Sequence, residues 1–99
     1  MVVGTLTCDL LLGDVASLKE KRSVIRPIVA ELRRRFEVSA AETGGMELHR
    51  RAEISLALVS STHAHAVEVL QGCERLIAGR PEVTLLAARQ RILDDDDVD

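Results

Sequence analysis

Between residues 19 and 35 the chain sets Lys19, Lys21, Arg22, Arg26, Arg33, Arg34 and Arg35 against Glu20 and Glu31, a local balance of +5. Guanidinium and ammonium groups at this density suit one kind of chemistry, the holding of phosphate. On a helix at 100° per residue, Lys19, Arg26 and Arg33 fall within about 40° of one another, and Arg22 lies on the same flank. The four make a ridge. Fourteen residues span about 21 Å at the helical rise, enough to follow several phosphates along one strand of nucleic acid. The plainer reading is a solvated helix face, with Glu31 and Arg35 paired at the i,i+4 spacing.

A second group of candidates belongs to small-molecule or acid–base chemistry. Asp9, Arg51 and Glu53 converge on one face of a sheet if the first and third strands pair, and His49 lies two residues before Arg51. Ion pairing across the strands is the simpler account of the three charges. His63 and His65 lie two apart at a helix start, about 200° around the axis, which does not make a metal pair. Cys8 and Cys73 stand alone, far from any Cys-x-x-Cys spacing, and read as buried reduced thiols. No metal site and no cofactor are expected, since no glycine-rich phosphate loop is present and no serine or cysteine has a base at a recognisable spacing.

Alternating apolar residues predict a strand over residues 2–12, with Val2, Leu6, Cys8, Leu10 and Leu12 inward and Val3, Thr5, Thr7, Asp9 and Leu11 outward. Ser17-Leu18-Lys19-Glu20 fits a capping box, and a helix follows to Phe36 with Leu18, Ile25, Val29, Leu32 and Phe36 on its buried stripe. Pro27 either kinks this helix or separates a first turn, 17–23, from a regular helix that begins near Ser23. Lys21 falls close to the buried stripe, which suggests that the first turn departs from a regular helix. Strands are expected over 37–43 and 51–60, joined by a Gly44-Gly45 turn. A second helix is capped by Ser61 or Thr62 and stopped by Gly79 and Pro81, and a last strand covers 82–93.

The resulting βαββαβ order predicts an α+β, ferredoxin-like domain over residues 1–93, a four-stranded antiparallel sheet with two helices on one face. The other face is left open. Its expected members, Val3, Thr5, Thr7, Leu11, Ala41, Ser55, Ala57, Val59, Thr84, Leu86 and Ala88, are apolar enough to predict a homodimer. Asp94 to Asp97 and Asp99 form an acidic tail expected to be disordered by self-repulsion. They carry −5 of a whole-chain charge of −3, so the remainder is +2 and its charge is segregated onto one helix. No run of 18 apolar residues and no basic leader is present, so a cytoplasmic protein without membrane contact is expected.

The stretches "SLKEKRSVIRPIV", "RRRFEVSAAE" and "RAEISLALVSS" resemble the YlxP family of small bacterial proteins, catalogued as domain of unknown function 503. The resemblance spans roughly residues 2–93, and Ser17 to Arg22 is its most specific block. It implies the ferredoxin-like fold. Genes of this family commonly sit among those for transcription termination, translation initiation and ribosome maturation, which implies an RNA or ribosome partner. Where the family pattern usually has a tryptophan, this chain has His49, within Glu47-Leu48-His49-Arg50-Arg51-Ala52. Phe36 is the single aromatic and belongs to a helix, so base stacking on the sheet is excluded and any RNA contact is electrostatic. Two functions follow: a non-catalytic RNA- or ribosome-associated protein acting through Lys19, Arg22, Arg26 and Arg33, or a small-molecule enzyme or accessory protein of a specialised biosynthetic pathway using the open face.

Overall fold

The computed structural model describes residues 1–96. Six elements follow in order: β1 (Val2–Leu12), α1 (Leu18–Phe36), β2 (Ser39–Gly44), β3 (Arg51–Ser60), α2 (His63–Ala78) and β4 (Val83–Leu93). The strands form one antiparallel sheet in the order β2-β3-β1-β4, which is the ferredoxin-like arrangement. Both helices cover the same face, α1 along β2 and α2 mainly over β1 and β4.

The alternation in β1 explains the layering. Its even-numbered residues from Val2 to Leu12 are buried beneath the helices, while the odd-numbered ones stand half-buried on the open face. Leu6, Leu10 and Leu12 meet Ile25, Ile28 and Leu32 of α1 and Leu70 and Ile77 of α2 in a single core. Apolar burial of this kind contributes about 1.5–3 kcal/mol for each large side chain. Gly4 lies under α2, where an added Cβ would stand 3.1 Å from both Leu58 and Leu70, so the missing side chain lets the helix approach.

The helix caps follow the local chemistry. Ser17 Oγ accepts from the Glu20 amide at 3.1 Å, and Glu20 Oε2 accepts from the Ala16 amide at 3.0 Å, closing the start of α1. Thr62 caps α2, accepting from the His65 amide. α1 runs unbroken through Pro27, so residues 17–23 are no separate turn. Pro27 is exposed, and so is Arg26 beside it, which leaves the Ser23 carbonyl that loses its donor on the water side of the helix. The first turn is also regular: Lys21 sits on the buried stripe because it has partners there.

One boundary and one register differ from expectation. β2 begins at Ser39, since Glu37 adopts a left-handed conformation (φ 53°) and closes α1 through its amide to the Arg33 carbonyl. A bulge in β4 leaves Leu86 unpaired, because Asp9 faces Ala87 while Leu10 faces Leu85. The extra residue reverses the alternation, so Ala88 pairs with Cys8 on the helix side, and Arg89, Arg91 and Leu93 take the open face.

Of the acidic tail, Asp94 to Asp96 are described and residues 97–99 lie outside the described residues. Asp95 meets the Met1 ammonium at 3.0 Å, and the Asp96 amide donates to Asp94 Oδ1. Both ion-pair members are about half exposed or more, which makes the pair worth about 0–1 kcal/mol. Deleting residues 94–99 is expected to lower the melting temperature by less than about 5 °C. A larger fall in a calorimetric scan would mean that the tail packs on the fold.

Candidate functional site

The cations of α1 differ in their partners. Lys21 is 2% exposed, and its Nζ donates to the Gly45 and Leu48 carbonyls at 2.6 and 2.9 Å and pairs with Glu42 Oε2 at 2.8 Å. Two of the ammonium's three donors are hydrogen-bonded to carbonyls, and its charge is met by the Glu42 carboxylate. Gly45 turns its carbonyl into this position at φ 67°, a conformation that glycine adopts without strain. Arg35 pairs with Glu31, which also takes Arg80. Arg33 departs from expectation: its Nε and Nη2 both donate to the Ala40 carbonyl, so it fastens α1 to β2 instead of standing free on the solvated flank.

Lys19, Arg22 and Arg26 behave differently. They are exposed, lie at i, i+3 and i+7, and have no hydrogen bond or ion pair among the described residues. Arg22 and Arg26 line two adjoining depressions. One, of about 310 Å³, is completed by Lys19, Ser23 and Pro27. The other, of about 460 Å³, lies between α1 and β2 and is completed by Ile25, Val29, Ala30 and Arg33 of the helix and by Ala41 and Glu42 of the strand. The ridge is therefore three unpaired cations, with the tethered Arg33 extending their line.

On the open face, β1 and β3 do pair, and Asp9 stands opposite Glu53 while Leu11 stands opposite Arg51. Asp9, Arg51 and Glu53 line one shallow depression of about 260 Å³ together with Gly44, Gly45 and Leu48. His49 is not among its lining residues; it is exposed in the loop between β2 and β3. The cation that meets the two carboxylates is Arg89 of β4, with Nη1 at 2.9 Å from Asp9 Oδ2 and Nη2 at 3.7 Å from Glu53 Oε2. Its hydrogen bond to Asp9, and the charge of that carboxylate, hold the Arg89 proton more firmly than usual.

Glu53 also accepts from Thr43 Oγ1, which meets Ser55 Oγ, which in turn meets Thr7 Oγ1 at 3.2 Å. The middle of the face is thus polar and linked across all four strands, where the sequence suggested an apolar surface. The linking residues Arg89 and Thr43 were missed because their facing depends on the bulges at Leu86 and Thr43. Burial pushes the core-facing thiols up, Cys8 to about 12, with the nearby charge of Glu74 adding to the effect, and Cys73 to about 11. Neither is a nucleophile near neutral pH. No group of three or more His, Cys, Asp or Glu suited to a metal ion occurs among the described residues, nor is any helix long and apolar enough to cross a membrane.

Comparison with known proteins adds the family. A model described as "Protein of unknown function (DUF503)" matches residues 3–90. The chain belongs to the DUF503 family. It is 32% identical over 82 residues to the uncharacterized protein YlxP of Bacillus subtilis (strain 168), covering 83% of this chain and 89% of that one. The DUF503 match includes α1 with its whole ridge and the Asp9–Glu53–Arg89 group.

Proposed function

We propose that this DUF503 protein is a non-catalytic RNA- or ribosome-associated protein that binds phosphates through α1. The supporting observation is the sorting of cations along the helix. Lys21, Arg33 and Arg35 each have protein partners, whereas Lys19, Arg22 and Arg26 share one exposed flank without any among the described residues; Arg34, exposed and also without one, stands about 80° around the helix from Arg26. Three free cations over about 10 Å of helix can meet about three phosphates. The family resemblance to genes set among those for ribosome maturation points the same way.

The mode of contact follows from composition. Phe36 is the only aromatic, and it lies on α1 with the Arg35 guanidinium 5.5 Å from its ring centre. The sheet offers no ring on which to stack a base, so recognition rests on charge and shape, with little sequence readout. Asp9 and Glu53 already share a guanidinium, which makes an ion-pairing role the simpler account of the open-face carboxylates.

Changing Arg22 and Arg26 together to Gln tests the proposal. Both side chains are exposed, so the melting temperature should hold within a few degrees. Affinity for RNA or ribosomal particles should fall. The slope of log affinity against log salt should shrink by about 1.8 on duplex RNA and about 1.4 on single strands, because two fewer phosphates are neutralised. His49→Ala should leave that slope unchanged. Wild-type binding that is undetectable even at low salt, or a slope indifferent to the double change, would reduce the ridge to solvated helix surface.

A further inference from the structure

The geometry points to the open face of the sheet as a docking surface for a second copy of this chain, packed face to face. The argument starts from the rows that the strand register builds. Across β3, β1 and β4 these are Val59, Val3 and Leu93; then Ala57, Thr5 and Arg91; then Ser55, Thr7 and Arg89; then Glu53, Asp9 and Ala87; and last Arg51, Leu11 and Thr84. β2 adds Ser39 beside Ala57 and Ala41 beside Ser55. Successive rows are about 7 Å apart.

This pattern is complementary to itself. A two-fold axis laid across the strands through the Ser55–Thr7 row lays Arg91 of each copy over Ala87 of the other, one strand (about 4.8 Å) from its Asp9 and within the reach of a guanidinium. The same rotation lays Val3 over Leu11, and Val59 over the aliphatic stem of Arg51. The row on the axis consists of Ala41, Ser55, Thr7 and, on the edge strand, Arg89, which meets its own counterpart there with each guanidinium already paired to the Asp9 and Glu53 of its own copy. Small residues at the centre allow the sheets to approach to the usual separation of about 10 Å.

Exposure and area agree with such an arrangement. Val59 is 70% exposed, and Arg91 has no hydrogen bond or ion pair among the described residues. A shallow trough of about 480 Å³ runs over the middle of the face, lined by Thr5, Thr7, Ser39, Ala41, Ser55 and Arg91 among others. Three long strands and one short one give a face of roughly 600 Å², hence roughly 1,200 Å² over two copies, which clears the size of a specific interface. Since both helices lie on the other side of each sheet, the two α1 ridges end on opposite outer surfaces of the dimer. The pairing itself does not depend on what those ridges bind.

Light scattering on the wild type at roughly 100 µM, well above the dissociation constant of a micromolar dimer, should give twice the monomer mass. Val59→Lys, which replaces an exposed side chain and points a cation at Arg51 of the other copy, should give the monomer mass with the fold retained by circular dichroism. Cys8 and Cys73 are fully buried, so a cysteine introduced at Ala41 is the accessible thiol in the native protein. Ala41→Cys should be joined to its counterpart by a bismaleimide of about 10 Å, the spacing of stacked sheets, and Gln71→Cys on the helix layer should not. A monomeric wild type overturns the proposal. A dimer that crosslinks through Gln71→Cys but not Ala41→Cys, or that persists unchanged in Val59→Lys, also overturns it by placing the contact elsewhere.

Discussion

Lys21→Met should lower the unfolding free energy by about 3 kcal/mol, toward the low end of the 3–5 kcal/mol typical when one member of a buried ion pair is removed. The ammonium is 2% exposed and Glu42 is 24% exposed, so water relieves part of the abandoned carboxylate's cost. The Leu48 carbonyl loses its Lys21 donor in the same step, and the Gly45 carbonyl keeps only the Leu48 amide. The effect is therefore more than the loss of one contact: it leaves three acceptors converging on an apolar methyl. The 45–50 loop should also loosen, because Lys21 ties it to α1, and hydrogen exchange at the Leu48 amide, which donates to Gly45, would report it. Adding Glu42→Leu should restore part of the stability, since removing both charges removes the uncompensated one. Denaturant titrations of the two variants decide the matter; a loss below about 1 kcal/mol for Lys21→Met would mean that the clamp does not hold the native state.

Stability should also fall steeply above about pH 9, through the two buried thiols. Their folded-state pKa values lie above the ordinary value of 9.0, at about 12 for Cys8 and about 11 for Cys73, with burial the main cause in both. The native state therefore keeps both protons in a range where the unfolded chain releases them. Stability from this source is fully present below pH 9 and is lost as pH rises toward the folded values, at up to about 1.4 kcal/mol per pH unit for each thiol. A Cys8→Ala/Cys73→Ala variant will start from a lower baseline, because it leaves small cavities, so the quantity to compare is the slope between pH 9 and 11. That slope should flatten markedly in the double variant. An unchanged slope would assign the alkaline loss to other groups.

Much of the architecture is written in local sequence. The period-two alternation from Val2 to Leu12 and from Arg51 to Ser60, and the three-and-four spacing from Ala66 to Ile77, fix which face each element buries. The Ser17 and Thr62 caps and the stop at Gly79 mark the helix ends by local hydrogen bonding. Burying those faces together leaves little choice but two helices on one side of a four-stranded sheet. The positions of Lys19, Arg22 and Arg26 on one flank follow from helical geometry alone.

The partners of charged side chains were decided by tertiary structure. Arg22 and Arg33 are indistinguishable in a helical count, yet only Arg33 reaches the Ala40 carbonyl, because the left-handed turn at Glu37 brings β2 back beneath the end of α1. Lys21 looks misplaced on an apolar stripe until the Gly45 turn and Glu42 close around it from 21 to 27 residues away. Asp9 and Glu53 find Arg89 through a β4 register that one bulged residue, Leu86, reverses. Periodicity carries information about burial, which is set by a residue's own element. Ion pairing depends on the meeting of distant elements, where shifting one residue turns a side chain to the opposite face.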